Sequence, residues 1–464
     1  MTNQDANPKS LKNILSDLML QDIPAYANKL YYSLGFLSMT SLLVLIVSGT
    51  VLAFAGPNWW LMTAWGLYFR SIHLWAAQAF IFFILLHLLI VFLTSGYRSP
   101  RRLTWVIGAL MGFAGLIEAE FGYGLRGDFS SQWRVLQASD LYNGSGLGKF
   151  VNNLNYAQVY GIHIVILPLV ILGLLFLHYL LIKVRGIATP FKKEVPYRIV
   201  KANHRVLFFR GAILILVILI LGAIFKSPFI EPTTIQSVAN DDPALVAKTF
   251  VTEIDHTSDT ATYLDNIDPY TYDTEQVYVA QPFQEYMQIS GGQDFLSTFE
   301  NQDQATQQAE ITDAKSYFDN GGNLDAAFGN PVIATVSVLT KFAQTGAYES
   351  ILQSESAGSD DRTYVTRFLS DTGIMDTKAE SLNITTGQYG MLREEQGILP
   401  PGAWWLAPLG FLDNTVLAND PNQDRDGAEI LGLLILLLIA FPYIPYLNRI
   451  PEKIGLDKFI WRDP

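Results

Sequence analysis

The sequence predicts an all-α membrane protein: a four-helix transmembrane bundle, two further transmembrane helices and a soluble domain inserted outside the membrane. Three observations carry this. Apolar runs fall near 34–55, 73–95, 104–124, 158–183, 208–226 and 429–448. Each is close to the roughly 20 residues that cross a hydrocarbon core. The fifth and sixth runs are separated by about 200 residues with no run long enough to span. Finally, four of the chain's six histidines lie as two pairs, one pair inside the second run and one inside the fourth.

Residues 1–33 are polar and amphipathic with no cleavable signal pattern, and are expected at the cytoplasmic surface. The first run carries Gly35 and Gly49, 14 residues apart. The second carries His73 and His87, also 14 apart, with Arg70 three residues before the first. The third carries Gly108 and Gly122 at the same interval, with Glu118 and Glu120 near its end. The fourth carries His163 and His178, 15 apart. Basic segments follow the second run (97–102, YRSPRR) and the fourth (183–205). Arg449, Lys453, Lys458 and Arg462 follow the sixth. By the positive-inside rule these segments and the N-terminus are cytoplasmic, in a multi-pass protein of the cell membrane. The long connection at 236–396 is then extracytoplasmic. It holds 26 acidic and 7 basic residues, a balance of −19 in a chain of net charge −12. Its aromatic content and apolar patches such as PVIATVSVL and YVTRFL argue for a folded module. The 242–254 stretch reads as an amphipathic helix.

A spacing of 14 or 15 residues is about four helical turns, roughly 21–23 Å along the axis, so both members of a pair face nearly the same side. Two such helices face to face offer two bis-histidine sites, one near each membrane surface. One histidine in a membrane helix is often only a hydrogen-bonding residue. Four at matched spacing point instead to two b-type haems in series, since imidazole is a common haem ligand. The glycines would clear space for the haem edges, because glycine has no Cβ. Arg70 could pair a haem propionate through two hydrogen bonds; the competing reading is an arginine snorkelling to the interface. The chain has no cysteine, which excludes disulfides, cysteine-ligated clusters and thioether-linked haem on this polypeptide. No phosphate loop, hydrolase triad, zinc spacing or nucleic-acid motif is present, and the half calcium loop at 422–427 lacks its final carboxylate.

These residues resemble cytochrome b of the Rieske/cytochrome b complexes, closest to the short plastid and cyanobacterial form. The resemblance rests on the 15-residue second spacing with Pro168 inside it, YRSPRRLTW, GYGL, and HYLLIKVRGIATP, and covers about 15–235. It resumes at 398–448, which looks like the start of that complex's small subunit; IEPT (230–233) and ILPPGAWWLAP (398–408) resemble stretches flanking the quinol site. The resemblance implies that His73 and His163 bind the outer haem and His87 and His178 the inner one. It implies quinol and quinone as substrates, with Pro401, Trp404 and Trp405 at the quinol. It further implies a Rieske iron–sulfur protein, a c-type cytochrome or equivalent acceptor, membrane lipid, and a homodimeric complex.

Three departures stand out. The family's Pro-Glu-Trp-Tyr motif reads Pro401, Gly402, Ala403, Trp404, Trp405, so its carboxylate is gone. Arg126 and Gly127 replace a Pro-Trp pair. Ser33 stands where the plastid form attaches an extra haem through cysteine, so no covalent haem is expected. Quinol oxidation releases protons and needs a base near the ring. Glu118, Glu120 and Glu231 are the candidates. The expected organisation is 1–33 surface segment, 34–190 dihaem bundle, 191–235 linker and fifth span, 236–396 insertion, and 397–464 quinol-site loop, sixth span and tail. The expected function is the dihaem subunit of a quinol-oxidising complex. The alternatives are a non-bifurcating dihaem conduit for another dehydrogenase or hydrogenase, and a non-redox transporter or scaffold, which would show no haem absorbance.

Overall fold

The computed structural model describes residues 22–189, 197–266, 272–325, 329–355, 360–388, 402–420 and 423–455. The expected amphipathic segment before residue 22, Pro401, Asn422, Lys458 and Arg462 lie outside them. The described residues are predominantly helical and contain six helices long and apolar enough to cross a membrane. The chain is an all-α membrane protein.

The helix ends do not coincide with the ends of the apolar runs. Helix α1 spans Leu34–Met62, seven residues beyond its apolar run, with a kink where Gly56 takes φ 78° before Pro57. Helix α2 spans Ala64–Leu93. It starts nine residues before its run because the Thr63 hydroxyl accepts a bond from the Gly66 amide at 2.9 Å, satisfying an otherwise unpaired helix N-terminus. Then come α3 (Arg102–Gly124), the shorter α4 (Phe129–Gly144), α5 (Tyr156–Gly161) and α6 (Leu167–Arg185). Between α5 and α6 lies one π turn, Ile162–Ile166. It has a local cause. Pro168 lacks an amide proton, and its ring would clash with the carbonyl four residues back, at residue 164, the centre of that turn. A second π turn, Gln276–Ala280, stands in the same relation to Pro282. Helix α7 spans His204–Ile224, capped by Asn203.

The chain divides into two compact units. The first comprises Met1–Ala119, Ile164–Ser227 and Ile430–Pro464. It is tied by long-range bonds from ring N–H and O–H groups to backbone carbonyls: Trp75 Nε1 to Phe225 (2.9 Å), Trp105 Nε1 to Leu438 (2.8 Å), and Tyr97 to Asn448 (2.8 Å). Each satisfies a polar tip while its ring fills apolar space. A short antiparallel pair, β1 (Asp22–Pro24) and β2 (Ile199–Lys201), joins the N-terminal segment to the stretch before α7.

The second unit comprises Glu120–His163 and Pro228–Glu429. Its helices include α8 (Ile235–Asp241), α9 (Pro243–Ile254), α10 (Asp259–Asn266), α11 (Gln281–Ser290), α12 (Phe295–Glu300), α13 (Gln304–Asp319), α14 (Pro331–Gln344), α15 (Ala347–Glu355), α16 (Thr363–Asp371) and α17 (Ile374–Ser381). The two apolar patches picked out in the sequence become α14 and α16, and the expected helix at 242–254 is α9. The core of this unit also takes Phe129, Trp133 and Leu136 from α4. Acidic residues supply several helix caps: Asp242, Asp294 and Asp303 each accept a bond from a backbone amide three residues on.

Candidate functional site

The four singled-out glycines each face one of the four singled-out histidines. A Cβ on Gly35 would stand 3.4 Å from Cε1 of His87, and one on Gly49 3.0 Å from Cε1 of His73. A Cβ on Gly108 would stand 3.0 Å from Cε1 of His178, and one on Gly122 2.8 Å from Cε1 of His163. The matched 14-residue intervals in α1 and α3 are therefore explained at the level of the imidazoles: each ring sits in space that a side chain would fill.

Two of the rings also have an assigned proton. His178 Nδ1 lies 3.1 Å from the Thr104 carbonyl, which can only accept, so Nδ1 carries the hydrogen. His73 Nδ1 lies 2.9 Å from Ser48 Oγ, whose own proton goes to the Val44 carbonyl at 2.7 Å. The Nδ1 of His73 is then the donor too. In both cases Nε2 is the lone-pair nitrogen, the form an iron-ligating histidine takes when its other nitrogen donates to the protein. Sequence reasoning missed Ser48 and Thr104. A signal for Ser48 was its place beside Gly49; Thr104 acts through its backbone, which no residue type announces. The donor set and the glycine cradles fit haem.

The π turn bears on the fourth span. Fifteen α-helical residues would advance about 60° past whole turns, whereas 14 fall about 40° short. One residue taken up in a π turn makes the 15-residue spacing equivalent to the 14-residue spacing of α2.

Arg70 is 7% exposed in α2, with its guanidinium 5.5 Å from the Trp60 ring. Glu118 and Glu120, two apart on α3, point to different faces of the helix. Within the second unit, Glu120 meets two partners. Arg134 Nη2 donates to Oε2 at 2.7 Å, and Trp405 Nε1 donates to Oε1 at 3.0 Å. The Arg134 guanidinium lies 4.1 Å from the Tyr123 ring centre, and Tyr123 and Trp405 are 6.1 Å apart. Trp404 packs edge-on to Trp405 at 5.8 Å. Ala403, one residue before the aromatic pair, is fully buried. Burial pushes the Tyr142 phenol above its ordinary range, and the Glu120 charge adds to this. Arg126 pairs with Asp128 at 2.7 Å and donates to the Pro228 carbonyl at 3.1 Å. Asp128 in turn caps α4, with Gly127 at φ 71° making the turn. The GYGLRGD departure is thus a locked corner. The Glu231 side chain is exposed, and its backbone carbonyl accepts from Lys378 at 3.0 Å. Glu120 is thus a carboxylate brought to the tryptophan pair. Arg134 was not singled out from the sequence, because nothing local marks its pairing across 14 residues.

The sequence is similar to proteins of one family. The family model for cytochrome b (N-terminal)/b6/petB matches residues 78–243, which include His87, His163 and His178. Cytochrome b6 of Oltmannsiellopsis viridis is 30% identical over 203 residues, 39% of this chain and 94% of that protein. Cytochrome b6 of Synechocystis sp. is 29% identical over 202 residues, 38% of this chain and 89% of that protein. A chain of a hyperthermophilic respiratory Complex III covers 70% of this chain at 15% identity, with a TM-score of 0.34. The glycine-faced histidines and the near-complete coverage of the b6 proteins lead to one conclusion: the chain belongs to the bc/b6f-type cytochrome b family and binds b-type haem.

Proposed function

We propose that this chain is the dihaem subunit of a membrane quinol:electron-acceptor oxidoreductase. It carries electrons across the bilayer between a quinol site on the outer side and a quinone site on the inner side. A Rieske iron–sulfur protein, backed by a c-type cytochrome or equivalent acceptor, takes the other electron from quinol. The observation that carries the reading is the set of four imidazoles, each opposite a glycine.

His73 and His163 would hold the outer haem, and His87 and His178 the inner one. Bound haem supplies one-electron chemistry at its iron. The protein's part is orientation. Ser48 and the Thr104 carbonyl fix ring tautomers, and Gly35, Gly49, Gly108 and Gly122 leave room for the rings. Arg70, held against Trp60, would pair a propionate. Pro401, Trp404 and Trp405 belong to the quinol pocket, and Glu118, Glu120 and Glu231 are the residues able to take a proton there. The acidic 236–396 domain lies outside the cytoplasm, since the flanking basic segments favour the inner face.

The test is spectroscopy with a partner inventory. The purified complex should show two spectrally distinct b-type haems, reducible by quinol, and should contain a Rieske-type protein. Two haems without quinol reduction or a Rieske protein would favour the non-bifurcating conduit. No haem would overturn both readings.

A further inference from the structure

We infer that Glu120 is the proton acceptor for quinol, held for that task by Arg134 and Trp405; the inference rests on the quinol-oxidising reading above. The sequence lacks a carboxylate before the tryptophan pair, and the buried Ala403 stands in its place. The structure supplies one from another helix. The Glu120 carboxylate reaches Trp405 at 3.0 Å and Arg134 at 2.7 Å. Both of its oxygens are therefore aimed, one by each donor. Trp405 is 8% exposed, whereas the Glu120 side chain is 34% exposed. One carboxylate thus touches the apolar aromatic pair and keeps 34% of its side-chain surface uncovered, the arrangement of a group that takes a proton from a bound ring and passes it on. Glu120 also lies two residues before Gly122, whose missing Cβ admits the His163 ring.

Each proton transfer breaks a quinol O–H bond and forms a Glu120 O–H bond. The electron released with it goes to a one-electron acceptor, the iron–sulfur partner for one and a b haem for the other. Glu120 loses the first proton to water and then takes the second, so quinol ends as quinone, two protons and two electrons. Arg134 and Trp405 are positioning residues: neither exchanges the proton. Among the described residues, the titratable and charged groups around Glu120 include Arg134 and Tyr142 from α4 and Tyr123 from its own helix, with Arg126 5.6 Å from the Tyr123 ring.

The experiment uses the whole purified complex and a short-chain quinol. Glu120→Gln should slow quinol oxidation about 10²–10⁴-fold, the range for losing a positioned acid–base group, with both haem spectra unchanged. Glu120→Asp should be milder. Arg134→Gln should lower kcat more than it raises KM for the short-chain quinol, and Arg134→Lys should recover part of the loss. Trp405→Phe keeps an aromatic ring, loses the indole N–H, and should cost less than Glu120→Gln. Should Glu120→Gln fail to assemble, infrared difference spectra during quinol oxidation decide: a carboxylic-acid band should appear in the parent and shift in Glu120→Asp. Parental rate in Glu120→Gln, or a band unmoved in Glu120→Asp, would overturn the inference while leaving the quinol-oxidising reading intact. A parent complex that cannot oxidise quinol would remove both.

Discussion

Glycine and histidine do the defining work at the scale of single residues, and the geometry ranks them. A side chain on Gly122 or on Gly108 or Gly49 would press on an imidazole at 2.8–3.0 Å, whereas one on Gly35 would sit at 3.4 Å. A free imidazole can swing away from such a contact; one fixed by iron cannot. Alanine should therefore cost most haem at Gly122 and least at Gly35, measured as haem per protein in purified membranes. Equal loss at all four would mean that the ring contacts do not set the clearance. The histidines give the companion result. His87→Ala and His178→Ala should remove the same haem, and His73→Ala and His163→Ala the other, read from reduced-minus-oxidised spectra. The histidine and glycine positions were legible in the sequence because helical spacing is a one-dimensional signal. The Glu120–Trp405 contact was not, since it joins residues 285 apart through tertiary packing. A different residue-scale feature lies in the inserted domain, where Glu253 and Asp371 share a buried site. Ser258 donates to Glu253 at 2.8 Å and the Thr260 amide to Asp371 at 2.8 Å. Burial pushes both above the ordinary carboxylate range. With folded pKa values raised, the unfolded chain releases its protons first, so stability is fullest at acid pH and falls as pH rises through the folded values. Glu253→Gln, which stays neutral, should flatten this slope and raise the domain's melting temperature most at alkaline pH. An unchanged slope would show that the pair does not carry a proton.

Elements show where a linear reading meets its limit. The six spans were visible as apolar runs, but their ends were not, because helices continue through Thr63 and Asn203 caps that hydropathy does not register. The inserted helices were harder. Most are short, and their apolar faces make sense only against one another, so only α9, α14 and α16 stood out. The π turn was hidden for another reason: its cause, Pro168, was noticed, yet its effect on phase needs the backbone. That effect is testable. Deleting Val165 together with Pro168→Ala should let the turn become α-helix and preserve the phase of His163 and His178, so both haems remain. Deleting Gly173 instead rotates the two histidines about 100° apart and should abolish at least one haem. Haem spectra of the two deletions should differ sharply; equal retention would show that the spacing is not under geometric constraint.

At the scale of the whole molecule, the chain is less modular than its composition suggests. A change in charge and hydropathy marks 236–396 as an insertion. The second unit takes in more than that stretch. Phe129, Trp133 and Leu136, from the connection between the third and fourth spans, are at most 7% exposed in the same core as α9, α14 and α16. The inserted helices are also fastened to that connection by polar contacts. Arg367 reaches Asp140 at 2.8 Å and Ser139 at 3.0 Å, Asn152 reaches Thr363 at 2.8 Å, and the Tyr156 amide reaches the Asp360 carbonyl at 2.8 Å. Gln132 exchanges two bonds with the Thr233 backbone. Replacing 236–396 by a short flexible linker would strip α4 of its apolar cover. Three large side chains would meet water, and burying each is worth on the order of 1.5–3 kcal/mol. The excised protein should therefore lose the ordered α4 and, with it, the Arg134–Glu120 contact, while the α1–α2 ring contacts of Gly35 with His87 and Gly49 with His73 are untouched in sequence. The expected result is retained haem absorbance with rapid hydrogen exchange across 129–144 and severely slowed quinol oxidation. Protected amides in α4 after excision would show that this helix stands without the insertion, and the two would then be separable modules after all.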